Sequence, residues 1–233
     1  MFDKNEFQKY ATKHLGMSGM HLEKYMDATA PGIRAFTPYV IEERQMNAAA
    51  LDVFSRLMMD RIIFMGVPVT EYVSNVIQAQ LLFLESTDPK RDVQMFINSP
   101  GGSVIDGLGI YDTMQYVRSP ISTVCLGLAA SMGSLLLTAG EKGLRICLPN
   151  ARVMLHQPSG GYRGPASDIE RHAEDILQTK RRLNEIYVKH TGQAYETVER
   201  TLDRDFFMTS EEAKAWGIVD RVYEKRELPE GAT

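Results

Sequence analysis

The chain has 233 residues, of which 44% are hydrophobic and 24% are charged, and its net charge is −4. This is the composition of a globular protein that is long enough to bury a sizeable core. The weakly acidic balance excludes an extended basic surface for nucleic acid or for an anionic membrane, and no apolar run reaches the ~20 residues that span a bilayer. We therefore expect a cytoplasmic enzyme or binding protein without nucleic-acid or membrane partners.

The first 34 residues differ from the rest because glycine and proline interrupt them. We predict an N-terminal extension outside the main core, and whether it is docked or disordered stays open. Cys125 and Cys147 lie in apolar, strand-like runs, so we expect them to pack as small hydrophobic side chains. The sequence contains no metal-ligand cluster and no cofactor motif, so neither a metal nor a cofactor is expected.

From about residue 35 onward, extended and helical patterns alternate. The predicted extended runs are 35–41, 62–65, 93–97, 121–126, 144–147, 153–156 and 218–223, and the predicted helices are 51–60, 70–84, 104–117, 132–139, 166–190, 194–202 and 210–216. Repeated strand–helix alternation indicates an α/β fold with parallel strands and right-handed crossovers.

Small residues surround Ser131 between a predicted strand and a predicted helix. The pattern Ala129-Ala-Ser-Met-Gly133 has the spacing of a nucleophile elbow, with alanine in place of the first glycine. A serine at such a bend is exposed, and the free N–H groups at the start of a helix favour a developing negative charge. The alternative is that small residues here only allow a helix to pack closely on a sheet.

Asn98-Ser-Pro-Gly-Gly102 follows another predicted strand and precedes a helix. This order places bare backbone N–H groups at the carboxyl edge of the sheet, where they could bind an oxyanion or a peptide backbone. An ordinary tight turn is the other interpretation.

His156 is the histidine best placed for chemistry, since it ends a predicted strand and precedes a glycine-rich loop. Asp205 precedes the apolar run Phe206-Phe-Met208, which we expect to carry a carboxylate close to the core. Serine, histidine and aspartate are the components of acyl-transfer chemistry. Their order along this chain matches none of the three standard serine-hydrolase orders, so spacing alone does not identify the third member.

From about Ala35 to Tyr223 the sequence resembles the ClpP family, the proteolytic subunits of the Clp protease. The matching stretches are Phe54-Ser-Arg-Leu57, Arg61-Ile-Ile-Phe64, Ile97-Asn-Ser-Pro-Gly-Gly102, Ile110-Tyr-Asp-Thr-Met114, Ala129-Ala-Ser-Met132, Leu148-Pro-Asn150, Arg152-Val-Met-Leu-His-Gln-Pro158 and Gly217-Ile-Val-Asp220. They cover most of the predicted core in the family's order.

The resemblance implies roles for individual residues. It implies that Ser131 is the nucleophile, His156 the base and Asp205 the residue that orients the base, with an oxyanion hole formed by the N–H groups of Gly102 and Met132. Residues implied to bind the peptide substrate are Gly101, Gln157, Pro158, Ser159 and Gly160. The pair Asp203-Arg204 matches one that links charges between rings in the family.

The resemblance also implies the architecture and the partners. The expected fold is the spiral of ββα units that ClpP shares with crotonases, with a projecting handle helix. Residues 1–34 would be an extension and possible prosegment, 35–226 the peptidase domain with a pore loop at 35–50 and a handle region at 157–190, and 227–233 a flexible tail. The expected partners are further copies in two stacked heptameric rings, a Clp-family AAA+ unfoldase, and unfolded polypeptides.

Three alternative functions remain. A crotonase acting on coenzyme A thioesters would use similar turn N–H groups but would not need the three residues together. A non-catalytic ring subunit would be expected to have lost part of the triad. A serine–lysine peptidase would need a basic lysine, for which Lys142 has no partner pattern.

Overall fold

Nine strands and seven helices lie in residues 39–44, 47–161 and 163–225, the part of the chain that the computed structural model describes. The strands are β1 (Tyr39–Arg44), β2 (Asn47–Asp52), β3 (Ile62–Met65), β4 (Val93–Ser99), β5 (Ile121–Ala130), β6 (Arg145–Cys147), β7 (Arg152–Leu155), β8 (Phe206–Thr209) and β9 (Arg221–Val222). The helices are α1 (Val53–Met59), α2 (Glu71–Thr87), α3 (Val104–Tyr116), α4 (Met132–Thr138), α5 (Ala166–Thr191), α6 (Tyr195–Leu202) and α7 (Ser210–Trp216). The chain divides into two compact units, residues 1–56 and 57–233.

The first unit contains the antiparallel pair of β1 and β2, in which Tyr39 lies opposite Asp52. The carboxylate of Asp52 then accepts hydrogen bonds from the Phe54 and Ser55 N–H groups at 3.0 and 3.1 Å, which satisfies donors at the start of α1. The predicted helix at 51–60 therefore begins too early, because residues 51 and 52 belong to the ladder of β2. The predicted extended run at 35–41 is confirmed from Tyr39 onward, and residues 35–38 lie outside the described residues.

The second unit is built on a seven-stranded mixed sheet with the order β3-β4-β5-β6-β9. Strands β7 and β8 extend it, because β7 pairs with the second half of β5 and with β8. All pairings are parallel except β7 with β8, so the predicted α/β fold is confirmed and the predicted parallel pairing holds for all strands but β8. The long central strand β5 thus contacts three neighbours and connects the core to the site described below.

The core surrounds the central strand. Residues 121–125 of β5 are all buried, as expected for a strand that is covered on both faces. Leu135, Leu136 and Leu137 of α4 are at most 1% exposed, and each fully buried leucine of this kind contributes about 1.5–3 kcal/mol to the free energy of unfolding. Cys125 and Cys147 are free, buried and opposite each other on β5 and β6, which confirms that they pack as small apolar side chains.

Helix α5 has 26 residues and is roughly 39 Å long. Only its C-terminal half is packed into the core, through Leu183, Ile186 and Tyr187, whereas Ile169 and Leu177 in its N-terminal half are 46% and 53% exposed. The prediction that part of this helix projects is therefore confirmed. Gly192 ends the helix in the left-handed conformation, with φ 74°.

Candidate active site

Ser131 lies at the turn between β5 and α4, and its backbone is strained. Its φ is 54° and its ψ is −121°, and Arg61 is the one other non-glycine residue in the described ranges with a positive φ. Such a conformation costs on the order of 1–3 kcal/mol and persists only where the surroundings hold it. The Ser131 side chain does not cap the helix, so its hydroxyl is not used to stabilise α4. This is the backbone of a nucleophile elbow.

The chain can bend at Ser131 because the residues that pack around this turn are small. A Cβ on Gly101 would lie 2.6 Å from the Ala130 carbonyl oxygen and 2.7 Å from the Cβ of Ser131. A Cβ on Gly133 would lie 3.0 Å from the Ser99 carbonyl oxygen. The small residues thus allow the close approach of turn, helix and sheet, and this packing accompanies the bend at Ser131. That Ser131 is a nucleophile stays a prediction.

His156 and Asp205 contact each other, with Nδ1 of the histidine 3.2 Å from Oδ1 of the aspartate. The antiparallel register of β7 and β8 explains the contact. Leu155 pairs with Phe206, so His156 and Asp205 occupy the next position beyond the last ladder pair. The contact orients the imidazole and leaves Nε2 for another partner.

The sequence did not predict β8 as a strand, and it predicted too much burial for this segment. Phe206 and Phe207 are 43% and 52% exposed, and only Met208 is buried. The side chain of Asp205 is itself 64% exposed. The carboxylate therefore reaches His156 from the surface edge of the sheet and not from the core.

Ser131 and His156 line one small cavity. The other lining residues are Val104, Met132, Leu135, Pro158, Leu183, Tyr187 and Leu202. Within the described residues no hydrogen bond joins the Ser131 hydroxyl to His156. The structure thus brings the serine and the histidine to one cavity and gives the histidine its carboxylate, with the two reactive side chains not in hydrogen-bonding contact.

Two backbone N–H groups near the turn have no partner among the residues that the structure describes. Gly102 and Met132 donate no backbone hydrogen bond to any residue that the structure describes. Gly102, with φ 150°, forms an isolated parallel bridge with Val69, whose N–H and C=O bond the residues on either side of it, Gly101 and Ser103. Met132 directly follows Ser131, and Gly102 directly follows Gly101, whose added Cβ would lie 2.7 Å from the Cβ of Ser131. N–H groups without a partner this near a candidate nucleophile can bind an oxyanion.

The loop after His156 adopts no strand over residues 157–161. Gln157 donates a hydrogen bond from Nε2 to the Asp203 carbonyl oxygen at 2.8 Å, which ties this loop to the segment that precedes Asp205. Pro158 lines the cavity, Ser159 is exposed, and a Cβ on Gly160 would lie 3.3 Å from Ile176 on α5. The loop therefore lies between the cavity and the long helix.

The predicted inter-ring pair is exposed in the single chain. Arg204 Nε lies 3.7 Å from Asp203 Oδ2, and the two side chains are 92% and 59% exposed. An ion pair of this kind contributes little by itself.

Three residues of the site were not predicted from the sequence. Asn98 accepts a hydrogen bond from Leu128 N–H at 3.1 Å, where the register of β4 and β5 shifts before the turn at Ser131. Ser134 and Tyr187 share a hydrogen bond of 2.7 Å directly behind the same turn. Asn98 belongs to the Asn-Ser-Pro-Gly-Gly motif, but no local signal marks Ser134 or Tyr187, because a contact between α4 and α5 is formed only by tertiary packing.

No helix in the described part of the chain is long and apolar enough to cross a membrane. Among the same residues, no group of three or more histidine, cysteine, aspartate or glutamate side chains could hold a metal ion.

In the comparison with protein families, the model of the family described as Clp protease matches residues 44–226. The matched range covers more than three quarters of the chain and contains Ser131, His156 and Asp205. It also contains Gly102, Met132 and the whole of helix α5.

Proposed function

The chain belongs to the Clp protease family, and from this premise we propose that it is a serine endopeptidase in which Ser131, His156 and Asp205 form the catalytic triad. Membership makes the protein a peptidase with the mixed α/β fold of the ClpP type. The observation that carries the serine mechanism is the backbone of Ser131, a non-glycine residue held at φ 54° between a strand and a helix. Strain of this kind is retained where a turn presents a reactive side chain.

The proposed reaction follows from the contacts of the site. His156 Nε2 removes the proton of Ser131 as Oγ attacks the peptide carbonyl carbon, and the N–H groups of Gly102 and Met132 bind the resulting oxyanion. The imidazolium, stabilised by Asp205, gives its proton to the leaving amine. Water, activated by the same histidine, then hydrolyses the acyl-enzyme and releases the acid with Ser131 restored.

This chemistry needs Ser131 and His156 to approach each other. Catalytic hydrogen bonds in proteins without substrate are often long or poorly aligned and tighten when substrate is bound. We infer that peptide binding, or assembly, closes the distance between the two side chains in this cavity.

We propose that an extended peptide lies between Gly101 and the loop formed by Gln157, Pro158, Ser159 and Gly160. Backbone hydrogen bonds would supply most of the affinity, in the manner of an added strand. Val104, Leu135, Leu183 and Leu202 line the cavity next to Ser131, which favours an apolar substrate side chain beside the cut. Cleavage would then be weakly selective for sequence.

Membership in the family is in keeping with oligomeric assembly and with ATPase partners in general. We propose two stacked heptameric rings that enclose the sites, and a cytoplasmic AAA+ unfoldase that feeds unfolded polypeptides to them. The exposed Ile169 and Leu177 on α5 support an interface along the N-terminal half of that helix. The boundaries at residues 34 and 226, the pore loop at 35–50 and the tail at 227–233 belong to the same proposal.

The alternatives have less support. Lys142 lines a different cavity, together with Arg145 and Lys189, and not the one that contains Ser131 and His156. A crotonase mechanism would not need Ser131, His156 and Asp205 together, so it would leave the contact between His156 and Asp205 without a role.

The substitution Ser131→Ala tests the proposal. Alanine keeps the Cβ that already tolerates this backbone, so folding should be retained. The rate of hydrolysis of short fluorogenic peptides should fall by about 10⁴-fold or more, since triad members act as a unit. A variant that cleaves these peptides at near the original rate would exclude Ser131 as the nucleophile.

A further inference from the structure

Two buried hydroxyl groups connect the long helix α5 to the turn at Ser131. Ser134 Oγ lies 2.7 Å from the Ser131 carbonyl oxygen and 2.7 Å from Tyr187 Oη. Ser134 is 0% exposed and Tyr187 is 3% exposed, so water does not compete for these bonds. The link therefore runs from a side chain of α5, through one hydroxyl, to the backbone of the candidate nucleophile.

The direction of the two hydrogen bonds follows from the number of protons. A carbonyl oxygen can only accept, so Ser134 gives its single proton to Ser131. Ser134 Oγ must then accept from Tyr187, whose O–H is the donor. Burial raises the pKa of Tyr187, which keeps this phenol protonated at every pH at which the protein would work.

The Ser131 carbonyl is the point through which the strained turn is held. It also accepts hydrogen bonds from the Ser134 and Leu135 N–H groups at 3.0 and 3.1 Å, while Ser131 N–H donates to Met154 at 2.9 Å. These two N–H groups belong to α4 itself, and their hydrogen bonds to the Ser131 carbonyl would form in any helix that starts here. The Ser134 hydroxyl, oriented by Tyr187, is the donor that depends on a residue from another part of the chain.

Tyr187 is itself firmly placed. Its ring packs edge-on against Trp216, with a centroid distance of 6.4 Å, and it lines the same cavity as Ser131 and His156. The phenol therefore has a fixed position from which to orient Ser134.

We propose that Tyr187 is a positioning residue for Ser131: through Ser134 it holds the carbonyl of the nucleophile turn, and thereby directs the Ser131 hydroxyl toward its base. The inference rests on the proposed function, because it assigns a second residue to the same site. It adds a determinant that is neither part of the triad nor a donor of the oxyanion hole.

The test compares Tyr187→Phe with Tyr111→Phe. Each change removes one hydroxyl from a buried tyrosine and keeps the ring, and the Tyr111 hydroxyl bonds His190 and Lys189, outside the cavity of Ser131. We expect Tyr187→Phe to lower kcat for a short peptide about tenfold, equivalent to ~1.4 kcal/mol, with KM changed less than about twofold. Tyr111→Phe should leave both values unchanged. Equal kcat values for the two variants would overturn the proposal.

A double-mutant cycle with Ser134→Ala tests whether the two hydroxyls act as one link. The double variant Ser134→Ala/Tyr187→Phe should have about the same kcat as Ser134→Ala alone, because the first change already breaks the link. If the fold losses in kcat of the two single variants instead multiply in the double variant, the Tyr187 hydroxyl acts on the site independently of Ser134. That result would overturn the proposal.

Amide hydrogen exchange over residues 131–139 gives a readout that needs no catalysis. It should be faster in Tyr187→Phe than in Tyr111→Phe, and equal exchange would contradict the positioning role. If the unmodified protein shows no peptidase activity while this difference in exchange is present, the serine mechanism fails and the role of Tyr187 in holding the turn stands.

Discussion

His156 and Asp205 are 49 residues apart in the chain, and their side chains meet at 3.2 Å because they extend the ladder of β7 and β8 by one position. The side chains are 29% and 64% exposed, so the pair lies at the accessible edge of the sheet. An exposed carboxylate of this kind orients the imidazole by hydrogen bonding. Its electrostatic attraction to an imidazolium is weakened by the surrounding water.

The pair leads to a prediction for Asp205→Asn. The amide can donate where the carboxylate accepts, which favours the wrong histidine tautomer and no longer stabilises the imidazolium. We expect kcat for peptide hydrolysis to fall by about 10²–10⁴-fold with little change in thermal stability. Glu199→Gln, an exposed substitution of the same type on α6, is the matched control. Unchanged kcat in Asp205→Asn would remove this residue from the triad.

Much of the fold could be predicted because apolar periodicity is local. Strand β3 and helices α3, α4 and α5 lie within two residues of their predicted bounds. The second strand of the hairpin, β2, was missed because Asn47-Ala-Ala-Ala50 has the composition of a helix. Strand β8 was missed because it has only four residues and no regular apolar alternation. The two adjacent phenylalanines also indicated burial, although both are exposed here.

The candidate site could be predicted only in part, since most of it depends on pairing over long distances. The turn at Ser131 is a local motif, and its strained backbone fits that prediction. Asp205 could not be identified from spacing, because its place opposite His156 depends on the antiparallel pairing of two short strands. The link from Tyr187 to Ser134 likewise depends on how α5 packs on α4.

Alanine substitutions at Gly101 and Gly192 separate the effect of backbone strain from the effect of displacing residues at the candidate site. Gly101→Ala introduces a Cβ at φ 88° that must displace Ala130 or Ser131. We expect kcat/KM to fall by about 10²-fold, since small displacements of a catalytic group have effects of this size. Gly192→Ala is the control, because φ is 74° and no atom lies within 4 Å of the added Cβ. If kcat/KM falls equally in both variants, backbone strain in general, and not displacement of the candidate site, causes the loss.

Arg204→Ala tests the proposed connection between assembly and catalysis. In the single chain the pair with Asp203 is exposed, so the substitution should not affect folding. If Arg204 links charges between rings, sedimentation velocity should show loss of the double ring, and peptidase activity should fall although the triad is intact. Arg200→Ala, an exposed substitution on α6, should change neither. A variant with full assembly and full activity would contradict the role of Arg204.

The N-terminal extension lies outside the described residues, and its removal stays a prediction. If the mature chain begins at Ala35, intact-mass measurement should show that active preparations lack residues 1–34. The Ser131→Ala protein, which cannot process itself, should retain them. A fully active enzyme of full length would show that the extension is not an inhibitory prosegment.

Covalent labelling with a fluorophosphonate tests the central claim most directly, because the reagent reacts with a serine only where a base activates it. The labelled protein is digested, and the adduct is located by mass spectrometry. We predict one modified residue, Ser131, with labelling abolished in Ser131→Ala and strongly slowed in His156→Ala. A protein that remains unlabelled at Ser131 while it hydrolyses peptides, or one that is labelled at another serine, would contradict the account.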